Sequence, residues 1–392
     1  MRAVVVGGGV AGPAVGLALH RAGIESVVLE RRAVVDAGEG SYLTVAPNGL
    51  DALATLGSRE AVEREGFRTR SNIMQGASGR RLGQLSLAGT LARDTGALTL
   101  RRSRLAATLT TRAQRSGVEV RLGARVARVE PGAAVLDDGD RVRADVIIGA
   151  DGVHSLVRSA IDPEAPAGRY VGLTNFGGVT RGTPLARTLP SEAWLLVFGA
   201  RAFFGAHPTP DGDVIWFVNV PRPLISRQER AATTETQWHE HLHELLRDDA
   251  GPAGELIAHG ELELAGDNTI DLPHVPTWSR DGMVVVGDAA HAPSPSSGQG
   301  ASLALEDSVV LAQALRDAPD VPTALAAYER VRRPRVERVV AAGARSGKTK
   351  VAGPIGRRLQ DLLMPLVFRL LVTDRSTAWM YDHRIPWDDR VA

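Results

Sequence analysis

Arg2-Ala-Val-Val-Val-Gly7-Gly8-Gly9-Val10-Ala11-Gly12-Pro-Ala-Val-Gly-Leu-Ala-Leu-His-Arg21 decides how this chain begins to fold. Ala3 to Val6 is a β-branched run suited to a buried parallel strand. Ala14 to Ala22 reads as a small-residue helix stopped by Gly23. Between them Gly7 to Gly12 spells G-x-G-x-x-G, which in strand–turn–helix context is a dinucleotide fingerprint. Gly7 permits the turn, Gly9 lets the backbone approach a pyrophosphate, and Gly12 lets the helix pack close. Val10 and Ala11 open the helix, where amides and a positive dipole favour an anion. Ser26 to Leu29 is the next strand, and Glu30 ends it 18 residues after Gly12, where a carboxylate can accept both ribose hydroxyls. At this point NAD and FAD are equally compatible with the pattern.

Working outward, a helix is expected at Asn48 to Leu56 and another at Thr99 to Ser116, with strands at Val118 to Leu122, Val126 to Val129 and Val142 to Ile148. From Arg169 to Pro221 short strands alternate with Gly, Pro and Asp-Gly turns, as in an antiparallel sheet. Phe198 to Ala206 and Asp213 to Val220 look like a hairpin, followed by a polar helix from about Gln228 to Leu246. A buried strand returns at Met283 to Val286, then a long helix at Ala301 to Leu315 and a mostly helical end. The expected class is α/β: a Rossmann-like cofactor domain built from 1–70, 98–168 and 277–345, an inserted antiparallel-sheet substrate domain from 71–97 and 169–276, and a helical C-terminal segment at 346–392.

Composition narrows the function. The 392 residues carry 46 Lys+Arg against 45 Asp+Glu, a net charge of +1, which argues against a nucleic-acid partner. There is no cysteine, so disulfides, thiolate metal sites, Fe–S clusters and a cysteine nucleophile are all excluded. No signal peptide is apparent, and no stretch reaches the ~18 apolar residues of a membrane helix. The nearest approach, Leu359 to Val372, is interrupted by Asp361, Pro365 and Arg369 and is expected to pack on the body. A cytoplasmic protein without membrane partner is the expectation, monomeric or homodimeric.

Two later segments separate the cofactors. Gly149-Ala-Asp-Gly-Val-His-Ser-Leu-Val-Arg158 and Gly287-Asp-Ala-Ala-His-Ala-Pro-Ser-Pro-Ser-Ser-Gly-Gln-Gly300, continuing to Asp307, resemble the DG and GD motifs of the FAD-dependent aromatic hydroxylases, the single-component flavin monooxygenases with the p-hydroxybenzoate hydroxylase fold. With the N-terminal fingerprint, three ordered motifs span residues 7 to 307. The resemblance implies non-covalent FAD, NAD(P)H as a transient co-substrate and O2, with oxygen added at the flavin C4a as a hydroperoxide and passed to an aromatic small molecule. Gly287 and Asp288 would bind the ribityl chain, and Gly298, Gln299, Gly300, Ala301 and Ser302 would present amides to the flavin pyrimidine edge. Ser302 departs from the Asn often found in the family, which weakens a side-chain role only. Pro295 would lie beside C4a. Asp151 and Arg158 look like a pair bracing the diphosphate region, with a purely structural pair as the alternative. Arg102 matches the arginine that reaches the flavin, with Arg101 the choice if the register is one off. Arg31, with Arg32, would follow Glu30 beside the cofactor, and neither decides between NADH and NADPH. No second G-x-G-x-x-G follows a strand, so a built-in nicotinamide domain is not expected.

In the hairpin, period-2 alternation puts Phe203, Gly205 and His207 on one face and Ile215, Phe217 and Asn219 on one face. The resemblance sends that face over the flavin, so Phe203, His207 and Phe217 are expected to line the substrate pocket, with ordinary sheet packing as the alternative. His207 is further expected to help deprotonate a phenolic substrate. Other readings are a flavin-bound cyclase or regulatory protein, or an FAD-dependent reductase or halogenase. Two loud patterns are set aside. His239-Glu-His-Leu-His243 contains H-E-x-x-H but has no third ligand nearby. Gly343-Ala-Arg-Ser-Gly-Lys-Thr349 is one residue short of a phosphate loop.

Overall fold

The computed structural model describes residues 1–35, 38, 40–91, 96–294, 297–347, 354–371 and 373–391. Two sheets organise it. The first has six strands in the order Ser279–Arg280, Met283–Val285, Val146–Gly149, Arg2–Val6, Glu25–Glu30 and Glu119–Leu122, parallel except at the Ser279–Arg280 edge. Its central strands are buried on both faces, which is why they read as unbroken Val/Ile runs rather than alternating ones. Helices Ala11–Arg21, Arg102–Arg115 and Gly300–Asp317 complete this core.

The second sheet has seven strands in the order Glu261–Asp271, Arg169–Thr180, Val214–Pro221, Phe203–Pro208, Ala193–Phe198, Ser71–Gly76 and Arg81–Ser86. All pairs are antiparallel except Ala193–Phe198 with Ser71–Gly76. One face packs Phe176, Phe204, Trp216 and Val218 against helices Glu235–Leu246 and Ala253–Ala258. The opposite face carries Trp194, Ile215 and Phe217 and meets Tyr42 and Phe67. Those two residues belong to a small sheet of Tyr42–Val45, Ala97–Arg101 and Phe67–Thr69, which lies between the two larger ones.

Several expected elements shift. Thr99 to Arg101 are strand, not helix: Thr99 and Leu100 pair with Thr44 and Leu43, and the helix begins at Arg102. The run Val142 to Ile148 is two strands, Arg141–Arg143 in a separate antiparallel sheet and Val146–Gly149 in the parallel one. The polar helix is also two, Arg227–Ala232 and Glu235–Leu246, because Thr234 starts the second with a capping box to Gln237. Helix Pro354–Leu371 lies along strand Arg81–Ser86, where a Cβ on Gly83 would fall 2.2 Å from the Phe368 ring. No described helix is long and apolar enough to cross a membrane.

Candidate active site

The glycine loop is built by contact rather than by side-chain chemistry. Gly7 has φ 106° and donates to the Leu29 carbonyl at 2.8 Å. A Cβ on Gly12 would sit 1.9 Å from the Gly7 carbonyl oxygen, so no other residue allows this helix-to-turn approach. A Cβ on Gly9, in contrast, would meet no atom of the described residues within 4 Å. Open space at that glycine, beside a helix N-terminus, is what a bound pyrophosphate needs. Glu30 sits under the loop, accepting from the Gly8 amide at 2.6 Å and the Arg32 amide at 2.9 Å. Those bonds fix its carboxylate and leave further lone pairs for ribose hydroxyls. Arg31 is exposed beside it.

The two later motifs converge on the same end of the parallel sheet. Asp307 accepts from the Gly287 amide at 2.9 Å and so locks the turn that carries Asp288, where Gly287 has φ 56°. Asp288 lies 3.9 Å from the Arg102 guanidinium, both partly exposed, and its Oδ1 would be 3.8 Å from a Cβ on Gly300. A cation, a carboxylate and the free amides of an 18-residue helix, Gly300–Asp317, therefore meet at one place. Arg101 faces elsewhere: it is bidentate to Glu263 and stacks 4.6 Å from the Tyr42 ring. Pro295 lies outside the described residues.

Asp151 and Arg158 do not form the expected pair. Asp151 caps helix Leu156–Ile161, accepting from the Leu156 amide at 2.7 Å, and its Oδ1 is buried with no hydrogen-bond partner among the described residues. Burial pushes its carboxyl up. Arg158 is buried and donates to the carbonyls of Ala289 and Val153, so it ties the first motif to the second. The side chains of Gln299 and Ser302 turn inward, which leaves the backbone amides as the groups that could face the flavin. Ser302 Oγ accepts from the Ala46 amide at 3.1 Å, and Gln299 accepts from Asn48 at 3.0 Å. Gly298, at φ 60° and with no atom of the described residues within 4 Å of a Cβ, precedes them. Asn48 was not read from the sequence as a site residue, yet it bridges Gln299 and Glu306.

Beneath this end lies a buried ionic cluster. Arg332 binds Glu306 at 2.7 Å and Asp307 at 2.8 Å, Arg335 binds Glu306 at 2.6 Å, and His291 meets Asp307 at 2.6 Å. Burial alone would raise Glu306, but the Arg332 and Arg335 guanidiniums hold it down to about 2, and against the same burial Asp307 is lowered by His291 and Arg332. The basic run Tyr328 to Val340 is thus a clamp on helix Gly300–Asp317, two cations against two carboxylates.

On the seven-stranded sheet, Phe203, His207 and Phe217 share the face turned toward Tyr42 and Phe67. His207 is opposite Ile215, Phe217 opposite Gly205, and Phe203 opposite Asn219. The Phe217 ring lies over Gly205, where a Cβ would be 2.2 Å from it. Trp194 contacts Phe217 at 5.4 Å and His207 at 5.3 Å, an aromatic wall in edge-to-face geometry. His207 is not a free base. Nδ1 lies 2.7 Å from the Pro208 carbonyl, Nε2 lies 3.1 Å from Thr69 Oγ1, and burial pushes the ring down to about 4. It also borders a half-open cavity of about 900 Å³ lined by Phe67, Arg68, Leu98, Glu192 and Pro208, which contains none of the glycine-motif residues. In the H-E-x-x-H helix, Trp238, Leu242 and Leu246 pack on the sheet while His239 donates to the Gly260 carbonyl.

Comparison with known proteins agrees with this geometry. The family described as FAD binding domain matches residues 1–343. The chain is 30% identical over 358 residues to an aurachin C monooxygenase/isomerase from Stigmatella aurantiaca, covering 88% of both. It is 32% identical over 397 residues to a 3-amino-4-hydroxybenzoate 2-monooxygenase from Streptomyces platensis, covering 97% of this chain and 95% of that one. A crystal structure of a single-residue variant of Klebsiella pneumoniae HpxO complexed with FAD superposes with TM-score 0.80 at 26% identity, covering 93% of this chain and 94% of that one. The open cradle at Gly9, the Arg102–Asp288 meeting point and the unpaired Asp151 oxygen fit such a cofactor. The chain belongs to the FAD-binding aromatic hydroxylases, the class A flavin monooxygenases, and its cofactor is FAD.

Proposed function

We propose that this enzyme uses NAD(P)H and O2 to hydroxylate or epoxidise a small aromatic or polycyclic molecule held against the inner face of the seven-stranded sheet. One observation carries the reading. Strand Tyr42–Val45 touches the aromatic wall through Thr44 and Trp194, and its end is bonded to the flavin-side helix through Ala46 with Ser302 and Asn48 with Gln299. A ring resting on Trp194 and Phe217 is thereby brought beside the cofactor end of the parallel sheet.

Bound FAD would supply the redox chemistry, with two electrons from the nicotinamide, one oxygen atom of O2 going to the substrate and the other leaving as water. The chain's own residues bind, orient and exclude water. Glu30 and the glycine loop would hold the adenosine and pyrophosphate, and Asp288 and Arg102 the ribityl region. The amides at Gly300, Ala301 and Ser302 would stabilise negative charge on the flavin's pyrimidine edge. The aromatic wall offers apolar contact and keeps the site dry. His207 is a wall residue in this scheme, since its acceptor nitrogen faces Thr69. A nicotinamide supply places the enzyme in the cytoplasm.

The test is anaerobic reduction by NADH and by NADPH, then a pulse of 18O2 with a panel of phenols and polycyclic aromatics. One labelled oxygen in a product, with nicotinamide consumed in equal amount, is expected. Reoxidation that yields only hydrogen peroxide with every compound would sink the reading.

A further inference from the structure

The hydroxyls between the small sheet and the aromatic wall form a single chain, and that chain has a direction. Trp194 Nε1–H donates to Thr44 Oγ1 at 3.3 Å. Thr44 and Thr99 hydroxyls are 2.9 Å apart, Thr99 and Thr69 are 2.6 Å apart, and Thr69 lies 3.1 Å from His207 Nε2. The far end is anchored by His207 Nδ1, 2.7 Å from the Pro208 carbonyl. A carbonyl oxygen only accepts, so Nδ1 carries the hydrogen and Nε2 of the neutral ring is a bare acceptor. Burial supports the neutral form, because it pushes His207 down to about 4.

Each hydroxyl has one hydrogen to give. Thr69 gives its hydrogen to Nε2. Thr99 must then give to Thr69, and Thr44 to Thr99. Among the described residues Thr44 accepts only from Trp194, so one lone pair remains and no hydrogen. Thr69 and Thr99 are fully buried, whereas Thr44 is only partly covered. It shares a strand face with Tyr42, which packs against the cluster of Val179, Trp194 and Ile215.

We infer that Thr44 is a specificity-determining acceptor, receiving a hydrogen bond from an O–H or ring N–H donor on the aromatic substrate. The substrate's being a small aromatic rests on the function proposed above, whereas the order of the hydrogens does not. A ligand with only an acceptor at that point leaves two polar groups facing each other unpaired, a cost that corresponds to about 5- to 150-fold in affinity.

The probes are 2-naphthol and 2-methoxynaphthalene, titrated into the FAD-loaded protein and followed by the flavin absorbance change. The ether is the more apolar, so burial alone favours it. The naphthol is expected to bind at least ~10-fold more tightly. Thr44→Val should erase the preference, Thr44→Ser should keep it, and neither should change FAD retention. Equal affinities, or a preference for the ether, overturn the inference and leave the proposed function standing. Loss of FAD in Thr44→Val also overturns it, because the lone pair would then serve the cofactor. No flavin response to either probe overturns the aromatic pocket itself, and the inference with it. Independently of any variant, 15N NMR of labelled histidine should find His207 with its hydrogen on Nδ1. A hydrogen on Nε2 would reverse the chain, make Thr44 a donor, and refute the assignment.

Discussion

The parallel sheet and the seven-stranded sheet position their functional groups by different means. In the first, backbone does the work: glycines at Gly7 and Gly12 allow approaches that no other residue tolerates, Gly287 takes a left-handed φ, and carboxylates such as Asp307 hold the turns from beneath. In the second, the functional surface is a set of side chains, Trp194, His207 and Phe217, whose placement depends on strand register and on partners far along the chain. A site made of backbone leaves a local pattern in the sequence. A site made of facing side chains leaves almost none.

The largest test attacks the foundation of the first region. Arg332→Met leaves Glu306 and Asp307 buried beside too little positive charge and should cost roughly 3–5 kcal/mol. Acid should narrow the gap. Both carboxylates are held below their unfolded values, so their contribution is full above about pH 4.3 and is lost as pH falls toward about 2. The variant lacks much of that contribution, and its deficit should shrink across this window. Urea midpoints of both proteins between pH 2 and 6 give the answer, and a constant gap would mean the cluster is not what holds the turn.

The second region responds to pH in a separate window. His207 is held down to about 4, so the unfolded chain takes up its proton first, near pH ~6.5. Its contribution is full above that value and falls by roughly 3 kcal/mol as pH drops to about 4. His383, also pushed down to about 4 by burial, titrates in the same range beside the Glu306 and Arg335 charges. The difference between wild type and His207→Gln isolates His207. Identical stability profiles between pH 4 and 7 would show that the ring is not buried neutral.

Gly205→Ala should have a smaller effect. The new methyl group displaces the Phe217 ring at a cost of about 1–3 kcal/mol. Binding of aromatic ligands should weaken while FAD retention stays as in wild type. A matching loss of FAD would mean the two regions are coupled more tightly than their geometry implies.

Legibility followed the same division. The parallel strands, the helix Ala11–Arg21 and the convergence of Gly7–Gly12 with Asp288 were readable because each leaves a short local signature. Thr99 to Arg101, the end of strand Ala97–Arg101, was misread as helix because its apolar spacing runs into that of the helix after it, and only pairing with Tyr42–Val45 decides the matter. Asn48 was invisible for a related reason. It sits in an apolar helix and acquires a role only from Gln299 and Glu306, 251 and 258 residues away. Arg158 and Asp151 were rightly seen as polar residues of a motif, but their partners are carbonyls and amides that no side-chain pattern announces. His207 was placed on its face by alternation, while its tautomer and its neutrality depend on Pro208 and Thr69 and on burial.

The smallest expected change in the empty protein is at Gly9, and it bears most directly on whether the first region is preformed. A methyl group there meets no atom of the described residues within 4 Å, and its φ is not in the left-handed region that demands glycine. Such a substitution should leave apoprotein stability within about 0.5 kcal/mol of wild type. Alanine also restricts the unfolded chain, which works in the folded state's favour. The same methyl group projects into the space through which the backbone approaches a pyrophosphate, so FAD affinity should fall by tenfold or more, at ~1.4 kcal/mol per decade. Melting the apoprotein and titrating FAD by fluorescence quenching separate the two quantities. Reduced apoprotein stability would mean the loop packs on itself when empty. Unchanged FAD affinity would mean the cradle lies elsewhere. A stable apoprotein that has lost its cofactor is the outcome that a preformed backbone site requires.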